Sequence, residues 1–167
     1  MKKIQLTKGY EALVDDEDFE YLSQFKWYPT VNGCGKLYVS SHSKTNRAKV
    51  YMHRMILKPP DGLFVDHVDG NTFNNQRSNL RICSRRENGR NRGKQKDNTS
   101  GYKGVSWDTW GWKAYINTGG RNKNLGRFKD KDDAARAYNK AALEYHGEYA
   151  YQNILPHSPG LTPLDEG

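Results

Sequence analysis

Cysteine is nearly absent from these 167 residues: Cys34 and Cys83 are the only two, and neither belongs to a C-x-x-C pair. That excludes a disulfide framework and a thiolate zinc site, so both read as free thiols and no structural zinc is expected. The five histidines, His42, His53, His67, His146 and His157, are scattered, so a His-rich metal cage is not indicated and a bound metal has to use oxygen ligands. Long apolar runs are missing too. None approaches the ~20 residues that span a bilayer, and Met1-Lys2-Lys3-Ile4-Gln5 leads into no apolar signal core, so a cytoplasmic protein without a membrane partner is expected. With 35% hydrophobic residues and a mean hydropathy of -1.01, the chain lacks the material for one thick core and fits small modules better.

Positive charge is what the chain has. A formal net charge of +8 makes a polyanion the natural partner, since each Lys or Arg laid on a phosphate releases a condensed counterion. The excess is uneven: residues 1–60 carry 10 basic and 6 acidic side chains, residues 61–100 carry 8 and 5, and residues 101–167 carry 9 and 8. Any DNA affinity of the last segment therefore has to come from a localised face.

The first 60 residues alternate apolar and polar positions in short pieces, with Ile4 and Leu6, Ala12 and Val14, Leu37 and Val39, and Val50 and Met52 reading as strands. Between them Asp16-Glu17-Asp18-Phe19 opens a short helix with Phe19, Leu22 and Phe25 on one side, its acidic start suiting the positive N-terminus. A second helix is expected from His53 to Leu57, stopped by Pro59-Pro60. Residues 61–92 hold a dense polar run, residues 93–100 read as a basic linker, and residues 101–153 form another module. The last has three strand patterns and a helix with Asp130 as N-cap, Ala134, Ala137, Tyr138, Ala141 and Tyr145 on its buried face, and Gly147 past its end. The tail, residues 154–167 with Pro156, Pro159 and Pro163, reads as mobile.

Val65-Asp66-His67-Val68-Asp69-Gly70-Asn71, followed by Asn79-Leu80-Arg81 and Ser84-Arg85-Arg86-Glu87-Asn88, puts a carboxylate, an imidazole and two amides into one compact unit. Ser84-x-x-Glu87 is a capping box, so a helix should begin at Arg85 with Asn88 in its first turn. Asp69 and Asn71 read as turn formers and Asn74 and Asn75 as shapers of the loop. Adjacent strand residues point to opposite faces, so Asp66 and His67 meet on one phosphate only if the strand bends there.

This run resembles the HNH nuclease motif of phage-type homing endonucleases, a ββα-metal unit. The resemblance implies that His67 is the general base, that Asn79 orients its ring, and that Asp66 and Asn88 hold one divalent ion. Asn88 stands where the name-giving pattern has His, and Asn also occurs there in the homing branch. A carboxylate and an amide are hard donors, which favours Mg²⁺, with Mn²⁺ as a substitute. Residues 100–153 resemble the APETALA or ethylene-response-factor DNA-binding domain. Alternation then leaves one sheet face for duplex DNA, with Lys103, Ser106, Lys113, Tyr115, Asn117, Arg121 and Asn124 at or near it. Arg81, Arg85, Arg86, Arg90, Arg92, Lys94 and Lys96 are expected on the DNA backbone.

The fold class expected is α+β: a small N-terminal sheet region, a central ββα-metal unit, and a C-terminal three-stranded sheet with one helix. The implied activity is metal-dependent, site-specific hydrolysis of phosphodiester bonds in double-stranded DNA, leaving 5′-phosphate and 3′-hydroxyl ends in a phage or bacterial setting. A monomer would nick; a homodimer could cut both strands. The alternatives are a DNA-binding regulator that keeps the fold without cleaving and, with less support, an RNA-directed nuclease.

Overall fold

In the computed structural model, residues 1–33 and 35–156 are described, and they fold into two compact units, Met1–Arg92 and Gly93 onwards. The free-thiol reading of Cys34 and the mobile-tail reading of residues 157–167 lie outside the described residues; Cys83 is a buried free thiol. The class is α+β.

In the first unit β1 (Lys2–Gln5) and β2 (Glu11–Val14) pair antiparallel with Ile4 opposite Ala12, which sends alternate side chains inward. The acidic start of α1 (Asp16–Leu22) follows. A three-stranded antiparallel sheet comprises β3 (Tyr28–Val31), β4 (Leu37–His42) and β5 (Lys49–Tyr51) in that order. Strand β3 escaped the sequence reading because it contains Pro29; it sits at the sheet edge, where a missing backbone N–H costs no ladder bond. Met52, expected on a strand with Val50, instead opens α2 (Met52–Leu57) as a fully buried residue. That helix ends at Lys58, which adopts a left-handed φ of 46° before Pro59. A second hairpin, β6 (Phe64–His67) and β7 (Leu80–Cys83), leads into α3 (Arg85–Arg90). One core of Ile4, Leu6, Ala12, Val14, Leu22, Trp27, Val39, Met52, Ile56, Val65 and Leu80 joins the N-terminal strands, α2 and this hairpin. The N-terminal region and the polar motif thus share their interior.

The second unit is a meander of β8 (Val105–Asp108), β9 (Gly111–Asn117) and β10 (Asn122–Phe128) with α4 (Lys131–His146) against one face. Asp130 caps α4 by accepting from the backbone N–H groups of Asp132 and Asp133. Ala134 and Ala135 pack on Val105 and Ala114, while Tyr138, Ala141 and Ala142 pack on Ile116. Small residues let the helix lie close to a thin sheet. Gly104, at a φ of +71°, is required there because a Cβ would run into the Tyr138 ring and the Tyr115 carbonyl. The segment read as a linker is built in at its end: Ser100 is buried with its hydroxyl on the Val105 carbonyl at 2.8 Å, and Asn98 donates to the Tyr102 carbonyl at 2.9 Å.

Candidate active site

Strand β6 runs straight through His67, with Asp66 opposite Arg81 and His67 opposite Leu80. The bend expected from the sequence is absent, and the two side chains leave the strand on opposite sides. Asp66 turns towards the end of α3, where Arg81 Nη2 lies 2.7 Å and Asn91 Nδ2 lies 2.9 Å from its Oδ2. His67 turns towards the aromatic rings of α2 and β4. Its ring centroid is 5.1 Å from that of His53, edge to face, and 6.2 Å from that of Tyr38.

The partner of the His67 ring is Asn75, whose Oδ1 lies 3.3 Å from Nε2. This corrects the expectation that Asn79 would touch the ring. Asn75 Nδ2 donates to the Thr72 carbonyl at 3.3 Å, which fixes the amide oxygen as the end facing His67. An amide oxygen only accepts, so Nε2 carries the hydrogen and Nδ1 carries the lone pair. Burial lowers the His67 pKa below the usual imidazole value and the charge of Lys36 adds to this, against the raising effects of the Asn75 hydrogen bond, Asp66 and Asp69. Burial thus favours the neutral ring, and the Asn75 contact favours Nδ1 as the atom with the lone pair.

Asn75 is fixed by contacts from far along the chain. Its backbone N–H donates to the Leu13 carbonyl on β2 at 2.8 Å, and the neighbouring Thr72 hydroxyl donates to the Leu37 carbonyl on β4 at 2.6 Å. Asn79 spends its amide on the loop: Nδ2 donates to Asp69 Oδ1 at 2.9 Å and to the Asn74 carbonyl at 2.8 Å, while Oδ1 accepts from the Asp69 N–H at 3.0 Å. Burial pushes the Asp69 carboxyl up, but hydrogen bonds from Asn74, the Asn71 N–H and Asn79 outweigh it and hold the carboxyl below its usual value. Asp69, Asn71 and Asn74 are thus turn and loop formers. Arg77 clamps the loop to α1 through a two-pronged contact with Asp18, 2.8 Å on each arm.

The capping box forms as read, with Ser84 and Glu87 exchanging bonds at the start of α3. Asn88 is half-buried on that helix, three residues before Asn91 and so on a neighbouring surface position. Asn91, missed in the sequence reading, ties the helix end to the strand end by donating also to the His67 carbonyl at 3.0 Å. Its signal was its spacing, one helical turn past Asn88. The residues that would hold a hard divalent ion are oxygen donors, the Asp66 carboxylate and the Asn88 amide on α3, while Asn91 turns its Nδ2 to Asp66 and offers no oxygen there. Among the described residues no three His, Cys, Asp or Glu side chains form a metal-sized group, so most of the ion's coordination would come from outside this set.

The profile of the family described as HNH endonuclease matches residues 58–90, the span from the end of α2 to the end of α3. An uncharacterized HNH endonuclease, L560, of Acanthamoeba polyphaga mimivirus is 30% identical over 154 residues, covering 89% of this chain and 77% of the relative. The chain belongs to the HNH endonuclease family. Protein 3.8 of Escherichia phage T7 is 34% identical over 93 residues, covering 54% of the chain and 76% of the relative. No solved structure matches. Within the HNH unit the structure brings Asp66, Asn91 and Arg81 together on one side of β6 and His67, Asn75 and His53 on the other.

Of the side chains expected on DNA, Arg81 is bound to Asp66, so it does not stand open to a phosphate here. Arg85, Arg86, Arg92, Lys94 and Lys96 are exposed, and Arg90 is half-buried. On the second unit's sheet, Ser106 pairs with Lys113, Tyr115 with Asn124, and Lys113 with Arg127. These side chains therefore share the face opposite α4. Arg127, 2.8 Å from Asp108, is a member of that face missed in the sequence reading. Arg121 is exposed in the β9–β10 turn, which Asn117 closes by accepting from the Gly120 N–H at 3.0 Å. Lys103 departs from expectation: it precedes β8, lies over the Tyr151 ring at 5.3 Å, and burial lowers its pKa to about 8. No described helix is long and apolar enough to cross a membrane.

Proposed function

We propose that this HNH protein is a metal-dependent, site-specific endonuclease of the homing type that hydrolyses duplex DNA to 5′-phosphate and 3′-hydroxyl ends. The observation that carries the reading is the Asn75 Oδ1 placed 3.3 Å from His67 Nε2, a contact that would hold Nε2–H and leave Nδ1 as the base at the end of β6. A scissile phosphate seated across that strand end would be reached by His67 from one side and from the Asp66 side by the α3 residues. His67 Nδ1 takes a proton from a water whose oxygen forms the new bond to phosphorus; the P–O3′ bond breaks, and O3′ leaves with the electron pair and is protonated from solvent. Asp66 and Asn88 would hold Mg²⁺ or Mn²⁺, which supplies charge compensation on the phosphate and on the departing oxygen.

The exposed Arg85, Arg86, Arg92, Lys94 and Lys96 supply sequence-independent backbone affinity in this reading. The sheet face bearing Ser106, Lys113, Tyr115, Asn124 and Arg127, in an APETALA-like arrangement of three strands and a helix, supplies base contacts in the major groove. The test is incubation of the wild type and His67→Ala with supercoiled plasmid carrying random genomic inserts, with Mg²⁺, with Mn²⁺ and with EDTA. Wild type should nick or linearise DNA only with metal, and His67→Ala should be slower by about 10²- to 10⁴-fold with binding intact. Binding without cleavage across the library would replace the nuclease with a DNA-binding regulator.

A further inference from the structure

Asp66 is one of the best-covered carboxylates in the first unit, and its company is unusual for a residue expected to hold a metal ion. The β6–β7 register places Arg81 directly opposite it, Arg81 Nη2 and Nε approach Oδ2 at 2.7 and 3.1 Å, and the side chains are only 10% and 12% exposed. Asn91 brings a third donor to the same oxygen at 2.9 Å. A carboxylate this far from water needs a positive partner, and leaving it without one is strongly unfavourable. Arg81 meets that need here. A divalent ion on the same oxygen would stand within a few ångströms of the guanidinium, where like charges repel strongly because little solvent lies between them.

We propose that Arg81 and the divalent ion are alternative occupants of Asp66, and that duplex DNA decides between them. In the free protein Arg81 covers the carboxylate and opposes the ion. When DNA arrives, a backbone oxygen accepts the guanidinium, for which its fork geometry is well suited, and Asp66 becomes available to the ion. The exchange conserves charge neutralisation on both sides: the carboxylate trades one cation for another, and the phosphate gains the one released. Metal affinity and DNA affinity are therefore linked, each raising the other by the same factor. The inference rests on the nuclease reading, and its test separates the two.

The measurement is Mn²⁺ binding, followed by the loss of the free-ion electron paramagnetic resonance signal. It uses the full chain carrying His67→Ala, so that DNA stays intact, with and without Arg81→Gln, and with and without a mixed-sequence duplex at low salt. Without DNA, Arg81→Gln should bind Mn²⁺ about tenfold tighter than its parent; DNA should tighten binding about tenfold in the parent and little in the variant, the size usual for coupled sites. Equal or weaker Mn²⁺ binding by the folded Arg81→Gln protein overturns the exchange while leaving the nuclease reading intact. No Mn²⁺ uptake by any form with DNA removes the metal-dependent reading and this inference with it. Should Arg81→Gln fail to fold, the Arg81 Nε–H resonance of the parent gives the answer. It should move when Mg²⁺ and DNA are added together, and a resonance that stays fixed refutes the exchange.

Discussion

The HNH site of the first unit and the sheet face of the second treat polar side chains in opposite ways. In the first, His67, Asn75, Asn79 and Asp66 are all buried, and each is held by side-chain hydrogen bonds. In the second, Arg121, Asn124 and Arg127 stand exposed at or beside an open sheet face, with Lys113 and Tyr115 half-exposed. Under the proposed function the contrast follows from what each job would require. A base must keep one tautomer and one direction, and a buried network enforces both because every unsatisfied group in it is costly. A face that meets DNA must keep its donors available until the partner arrives.

The sharpest way to break this comparison is to loosen the buried side. Asn75→Ala leaves Nε2–H without its acceptor and lets the ring take the other tautomer, so cleavage should fall by about 10- to 100-fold, the range typical when a supporting partner of a functional side chain is removed. Asn79→Ala acts through the loop instead and should lower thermal stability, because Asp69 and Asn74 lose a shared partner. If Asn79→Ala instead lost activity with stability and the Asn75 contact unchanged, Asn79 would be the orienting residue after all.

The same split shows what could be read from the sequence. Motifs whose parts lie within a few residues were legible: the Ser84–Glu87 capping box, Asp130 at the start of α4, and the alternation that sorts Lys113 and Tyr115 from Ala114 and Ile116. What stayed hidden depended on long-range pairing. Asn75 reaches His67 because its backbone is bonded to Leu13, more than sixty positions earlier, and no local pattern announces that. Lys103 lies just before β8, beyond the reach of that strand's alternation, and Tyr151 and Asn153, from beyond α4, set its place. Arg81 could be read as basic, but only the hairpin register sets it against Asp66.

On the exposed side, Lys113→Ala with Tyr115→Ala should change selectivity while sparing turnover. Each good contact to a base edge is worth about 1–3 kcal/mol of discrimination, so losing both should lower the preference for the strongest site over its near variants by about thirtyfold or more, with the rate at saturating DNA little altered. Sequencing the ends cut from a random library by both proteins measures this. An unchanged site profile would mean that the sheet face does not read bases, and the contrast between the two units would then rest on backbone contacts alone.

The smallest effect concerns the cost of burying histidines beside the site. His53 is held near a pKa of about 3 by burial, by the neighbouring His67 and by Arg54, and its Nδ1 is buried without a hydrogen-bond partner. The folded protein therefore refuses a proton that the unfolded chain accepts near the ordinary value of 6.5. Between those values the unfolded state binds more protons, so stability is full above pH 6.5 and declines as the pH falls below it. One such histidine should cost about 1 kcal/mol between pH 7 and pH 5.5, and the lowered pKa of His67 acts in the same direction. Urea unfolding at the two pH values measures the loss, and His53→Leu, which keeps the side-chain volume and removes the titrating ring, should abolish the His53 share. An unchanged pH dependence in that variant would place the acid sensitivity elsewhere.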